Sequence, residues 1–527
     1  MQKDSAVNHQ RSHLSKYWLY YFLIVFEAMM IVLYSIFVQF STSGSARFQT
    51  NYNDASINHA GRFFPLYQDI FVMIFVGFGF LFACFKNFSW SLIGIFFGAS
   101  AWTIQFTILT SGWWETIFTG RWDLKISLDI SYFTDALNTA GAVIVGLGVI
   151  LGRLNLGQSI IFATILTLTQ SLMTNLVFYS FQANDIAGGM YIFLFGSVFG
   201  LFTSFVLNKR DKSQGKSFSF SRNSILFAWI GSLFLWVFWP SWVAFWATGK
   251  AALRAVINTI LSLTGSCVMS FLISPFLSKG KLNIKHILFG SITGGVIMCS
   301  CADLITQPWA GFLMGCCAGT FALYGLEYVT PKMNKGRFQD TCGGLFLFGL
   351  PGFLSGIVAS IFAGISKYHD LGDELYKLYP LSYNNQRPTG HQAGLILAVI
   401  VIVIGLAFVA GLFTGWILNS SCFETYVNLF DNKDLFDSVP EDEPDVTIRY
   451  QNKQIIELQN LKKSEIVQEK DEQSANNIEQ KDVIDHPKNE RANEEQPKDE
   501  PVKALESRET PKQEEIRHIE IQINAFD

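Results

Sequence analysis

The sequence predicts an all-α polytopic membrane protein with about twelve transmembrane helices, and three observations carry that expectation. Apolar stretches of roughly the length that crosses a hydrocarbon core recur through the first four-fifths of the chain. Charge is segregated: Asp, Glu, Lys and Arg make up only 16% of the residues, and nearly half of them fall in the last fifth of the chain, from Asp431 on. Aromatic residues reach 15%, so the chain carries more apolar surface than a soluble fold requires. That surface must face lipid.

The expected spans, in order, are 17–40, 66–86, 90–111, 133–152, 157–181, 186–208, 223–247, 251–277, 284–302, 307–328, 341–366 and 391–419. Several are interrupted by Gly, Ser or Pro. The first is too long for the apolar region of a signal peptide and no small-residue cleavage site follows it, so it reads as a true span. Residues 1–16 form a cytoplasmic N-terminus, 17–430 the membrane domain and 431–527 a charged tail. With the N-terminus in the cytoplasm, sixteen Lys and Arg residues from Lys3 to Arg337 fall on that side of the spans and nine on the other. The positive-inside rule then places both termini of this multi-pass protein in the cytoplasm.

The tail is rich in Glu, Lys, Gln and Asn and poor in aromatics, so it cannot bury enough apolar surface to offset ordering and is expected to be disordered. Residues 455–461 have the pattern of part of an amphipathic helix, and Ile516, Ile519, Ile521 and Ile523 alternate near the end. Both read as incidental in a solvated tail or as docking motifs for a cytoplasmic partner. The cysteines lie in or at the ends of apolar segments, which fits small core thiols rather than a disulfide framework or a metal site.

Two short motifs stand out. Asp185-Ile186-Ala187-Gly188-Gly189 leads into an apolar run containing Phe193, and Asp340-Thr341-Cys342-Gly343-Gly344 leads into one containing Phe348. Each aspartate precedes a glycine-rich helix start, and each phenylalanine falls about two turns in, near mid-membrane. A carboxylate there is either a functional group facing the pathway or a helix cap that accepts backbone N–H groups. Elsewhere Tyr67–Leu81, Phe234–Ser241, Arg254–Thr259 and Lys279–Leu282 with His286 are distinctive runs.

Together these stretches, over roughly residues 17–430, resemble the Rhesus-type (Rh) branch of the ammonium transporter family. The resemblance implies a homotrimer in the plasma membrane, with a pore in each subunit. It also implies two five-helix halves of inverted topology plus an extra N-terminal helix. The positions matching Phe193 and Phe348 normally hold two histidines that face each other in the pore. By the same resemblance Phe234 matches one of two stacked phenylalanines that close the outer vestibule, and Asn138 falls where the other stands, or Leu137 if the alignment slips by one. Asp185 and Asp340 match acidic residues of supporting role.

Phenylalanine can neither accept nor relay a proton as a histidine pair can. The expected activity is therefore passage of ammonia, or of another small neutral gas such as CO2, through an atypical pore. The alternative is a transport-silent Rh-like subunit that works as a structural or scaffolding membrane protein through its tail. Trp236, Trp239 and Trp242 read as lipid-facing or interfacial rings more readily than as a vestibule. Glu27, Asp303 and Glu327 read as inter-helix partners, and His286 as an interfacial cap. No nucleophile elbow, zinc-protease motif or P-loop supports an enzyme, no cofactor is implied, and the slightly negative net charge of -4 argues against nucleic acid as a partner.

Overall fold

The computed structural model describes residues 21–41, 55–84, 89–122, 125–207, 222–247, 249–365 and parts of 371–420. The expected N-terminal segment 1–16 and the tail 431–527, with its two candidate docking motifs, lie outside the described residues.

Twelve helices correspond one to one with the twelve expected spans. We number them α1 (Tyr21–Phe37), α2 (Phe63–Cys84), α3 (Ser89–Thr119), α4 (Ile130–Val149), α5 (Leu156–Phe181), α6 (Gly189–Leu207), α7 (Ser224–Ala244), α8 (Lys250–Leu277), α9 (Ile284–Met298), α10 (Pro308–Asn334), α11 (Leu345–Ile365) and α12 (Thr389–Leu418). Ten are long and apolar enough to cross a membrane, while α1 and α9 are shorter among the described residues. In α9 the cause is visible: the helix breaks between Gly290 and Thr293 and leaves helical geometry after Met298. The chain then continues in tight turns, with Cys301 N donating to Met298 O at 3.2 Å and Leu304 N to Cys301 O at 3.0 Å.

Local chemistry sets the helix starts. Asn155 and Gln158 form a reciprocal capping box at α5, with bonds of 2.8 and 3.1 Å. Asn283 caps α9 through Lys285 N at 3.0 Å, and Pro308 occupies the first position of α10. An addition to the all-helical expectation is a small parallel pair of strands, β1 (Val38–Phe40) with β2 (Ile126–Leu128). Three-residue strands leave no trace in a hydropathy pattern.

Five helices contain π-helical turns, at Met73–Phe78 in α2, Leu176–Phe181 in α5, Gly189–Leu194 in α6, Gly325–Val329 in α10 and Leu345–Gly349 in α11. Each inserted residue rotates the side chains that follow, and such turns gather at functional sites. Helices α6 and α11 pack closely because small residues meet there. A Cβ on Gly352 would strike the Gly189 carbonyl, and one on Gly349 would come within 2.9 Å of Ser197 Cβ. Outward faces carry large apolar side chains such as Val401, Phe276 and Trp416, as a lipid-facing surface requires. The largest buried side chains, Trp239, Trp242, Phe78, Phe82 and Phe193 among them, converge on one cluster in the interior.

Candidate functional site: an aromatic block between two vestibules

The two motifs build matching helix starts. Asp185 Oδ2 accepts from Met190 N at 2.9 Å and Tyr191 N at 3.0 Å, and its Oδ1 accepts from the Ser300 hydroxyl at 2.6 Å. Asp340 accepts from Gly344 N through Oδ1 at 2.7 Å and from Leu345 N through Oδ2 at 2.8 Å. Both aspartates are fully buried. Three residues after each stands a glycine with positive φ, +75° at Gly188 and +81° at Gly343, which turns the chain into the helix. Five residues further on come Phe193 and Phe348, both inside the opening π turns.

These two rings meet. Their centroids are 6.0 Å apart with planes inclined by 17°, and neither side chain is exposed. Phe193 stacks on Trp239 at 5.6 Å and leans against Trp242 at 5.4 Å. On the other side Phe348 contacts Phe78 at 5.8 Å and Phe82 at 6.2 Å, and Phe78 closes the ring by touching both tryptophans. Helices α2, α6, α7 and α11 thus assemble a block of six aromatic side chains.

A cavity lies beyond each end of the block. One of about 660 Å³ is lined by Glu115, Asp135 and Asp303, with Tyr132, Tyr179 and Asn184, and no Lys or Arg lines it among the described residues. The other, of about 280 Å³, is lined by Arg153, Lys285 and His286 together with Glu327 and Asp340. Helix α4 connects them: Ser131 and Asp135 at its start line the acidic vestibule, and Arg153 just past its end lines the basic one. Twenty helical residues span about 30 Å. The vestibules therefore open on opposite faces of a membrane-thick bundle.

Several expectations change on contact with the structure. Phe234 is half-buried and stacks on Phe238 at 5.9 Å. The side chains of α7 that touch Phe193 are Trp239 and, two turns beyond Phe234, Trp242, whose Nε1 donates to Asn138 Oδ1 at 2.9 Å. Asn138 is itself buried, and its amide also reaches Tyr191 Oη at 3.5 Å. Trp239 and Trp242 are not lipid-facing but fully buried, because the small residues Gly295 and Gly141 leave room for their rings. The acidic residues pair between helices: Gln105 donates to Glu27 at 2.6 Å, Asn184 to both oxygens of Asp303 at 3.0 and 2.9 Å, and His286 Nε2 lies 3.2 Å from Glu327. His286 is buried rather than interfacial and also bonds Ser274 Oγ at 3.2 Å. Sequence reasoning missed Phe78, Phe82, Trp239 and Trp242; the four-residue spacing of Phe78 and Phe82 placed them on one helix face, but nothing said which face turned inward.

The family model described as the Ammonium Transporter Family matches residues 29–423. "Ammonium transporter Rh type B" of Mus musculus is 31% identical over 419 residues, covering 77% of this chain and 91% of the relative. The protein of the same name from Danio rerio is 32% identical over 422 residues, again covering 77% and 91%. Among solved structures, Nitrosomonas europaea Rh50 superposes with a TM-score of 0.63 at 22% identity, covering 77% of this chain and 99% of that one. Saccharomyces cerevisiae Mep2 follows the same fold with a TM-score of 0.55 at 16% identity, over 76% of this chain and 98% of its own. The chain belongs to the Rh branch of the ammonium transporter family.

Proposed function

We propose that this protein is a Rh-type pathway for a small neutral solute, ammonia or CO2, that is closed to the ammonium ion. The carrying observation is the stacked pair Phe193 and Phe348 in the middle of the buried block. An ion entering it gives up solvation worth on the order of tens of kcal/mol. A ring face returns only about 0.5–2 kcal/mol by cation–π attraction. The charged form stops there, while a neutral gas pays no such charge penalty and needs only transient separation of the rings.

The vestibules support the same reading. Glu115, Asp135 and Asp303 concentrate cations at one mouth, so ammonium gathers where ammonia must be released from it. We assign this acidic mouth to the outside and the basic one to the cytoplasm, in keeping with the distribution of Lys and Arg along the chain. Asp185 and Asp340 hold the two helix starts that present the rings. A homotrimer in the plasma membrane, each subunit with its own pathway and the tail offered to a cytoplasmic partner, completes the proposal.

A second reading is carried by the same rings: none of the six is exposed to either cavity or to the surface, which suits a transport-silent structural subunit. Stopped-flow measurements on proteoliposomes separate the two. The neutral-gas reading predicts ammonia or CO2 entry faster than into empty vesicles. Rates equal to empty vesicles for both gases would leave the silent subunit.

A further inference from the structure

We infer that the indole N–H of Trp239 is the hydrogen-bond donor that receives a neutral acceptor molecule inside the block and so selects what passes; this rests on the neutral-gas reading above. Trp239 is fully buried, stacked on Phe193 at 5.6 Å and packed against Trp242 at 5.7 Å. Its Nε1 has no hydrogen-bond partner among the described residues. Of the other buried or half-buried indoles, Trp236 Nε1 is likewise without a partner among the described residues but lies outside the block, whereas Trp242 donates to Asn138 at 2.9 Å and Trp102 to Thr164 Oγ1 at 2.9 Å. A buried donor left unpaired is costly and asks for an occupant.

The ring cannot easily turn away to find one. A Cβ on Gly295 would lie 2.5–2.6 Å from three atoms of the indole, so the glycine of α9 is the seat on which the ring rests. The Cys299 thiol lies alongside the N–H but outside hydrogen-bond geometry, and it donates its own proton to the Gly295 carbonyl at 3.3 Å. Sulfur is in any case a weak acceptor. The donor therefore stands unused at the stacked ring that replaces one histidine.

Its chemistry discriminates. Ammonia has a lone pair and accepts from an indole N–H; ammonium has four donors and no lone pair, so the site repels rather than binds it. The oxygens of CO2 accept more weakly than the nitrogen of ammonia. A pathway with this donor, beside only the weakly accepting Cys299 sulfur, favours ammonia over CO2, and both over the ion.

Two measurements test the assignment. In proteoliposomes, Trp239→Phe should lower ammonia permeability about two- to tenfold, the range one neutral hydrogen bond commands, with a smaller effect on CO2. Cys299→Ser, nearly isosteric, offers the indole a stronger internal acceptor and should lower the ammonia-to-CO2 ratio in the same direction. An unchanged ratio in both variants overturns the assignment. The second measurement does not depend on flux: in nitrogen-15 tryptophan-labelled protein in nanodiscs, with thirteen indoles in the chain, the N–H resonance that vanishes in Trp239→Phe is that of Trp239. It should shift on adding ammonia at a pH above the pKa of ammonium, and stay put with ammonium chloride at acid pH. If neither gas outpaces empty vesicles, the neutral-gas reading fails, and the resonance alone then decides: a shift upholds the donor and an immobile signal refutes it.

Discussion

Asp340→Asn should destabilise the protein while Asp185→Asn is tolerated, although the two aspartates are counterparts in sequence. The difference lies in which oxygen takes which donor. At Asp185 both backbone N–H groups go to Oδ2 and only the Ser300 hydroxyl goes to Oδ1. An asparagine can put its carbonyl at Oδ2 and its amide at Oδ1, where the serine hydroxyl rotates to accept. All three contacts survive. At Asp340 each oxygen takes one backbone N–H, Gly344 at one and Leu345 at the other. Whichever way an asparagine is turned, its NH2 group faces an N–H. One hydrogen bond is lost, and a buried donor is left unsatisfied at about 1–3 kcal/mol. Both variants lose the charge-assisted part of their bonds and the favourable carboxylate at a helix start, so those losses largely cancel in the comparison. We therefore expect Asp340→Asn to fall below Asp185→Asn by about 1–3 kcal/mol, read by reversible SDS unfolding in mixed micelles. Equal losses, or a greater loss at Asp185, would refute the assignment of these caps.

Other outcomes follow from the same geometry. The double change Phe193→His with Phe348→His should raise ammonia permeability above the parent, and either single change should do less, because only the pair supplies two facing imidazoles where the two rings now stack; stopped-flow flux in proteoliposomes checks this. Asn138→Leu removes the acceptor of Trp242 Nε1 and leaves a buried donor unpaired, at about 1–3 kcal/mol. That variant should unfold at lower denaturant and show a changed Trp242 environment by near-ultraviolet circular dichroism, whereas Phe234→Leu, at a half-buried position outside the block, should leave the latter signal unaltered.

Much of this architecture was legible in the sequence because membrane spans are written in length and hydropathy, and each of the twelve expected segments holds one helix. The repeated interval from Asp to Gly to Phe was legible too, since capping and positive φ leave residue-type signatures at fixed offsets. The block was only half legible. A tryptophan at lipid depth looks the same in composition whether it faces lipid or another helix, so the sequence pattern alone does not show that Trp239 and Trp242 turn inward onto Gly295 and Gly141. Periodicity could not find the π turns carrying Phe78, Phe193 and Phe348, because one inserted residue shifts the helical phase without changing hydropathy.

The central claim, that the aromatic block excludes charge, is tested most directly by recording current from proteoliposomes adsorbed on a solid-supported membrane during ammonium concentration jumps. The account predicts no ammonium-dependent current above that of empty liposomes in the parent protein. A current that scales with the amount of protein and with ammonium concentration would contradict it.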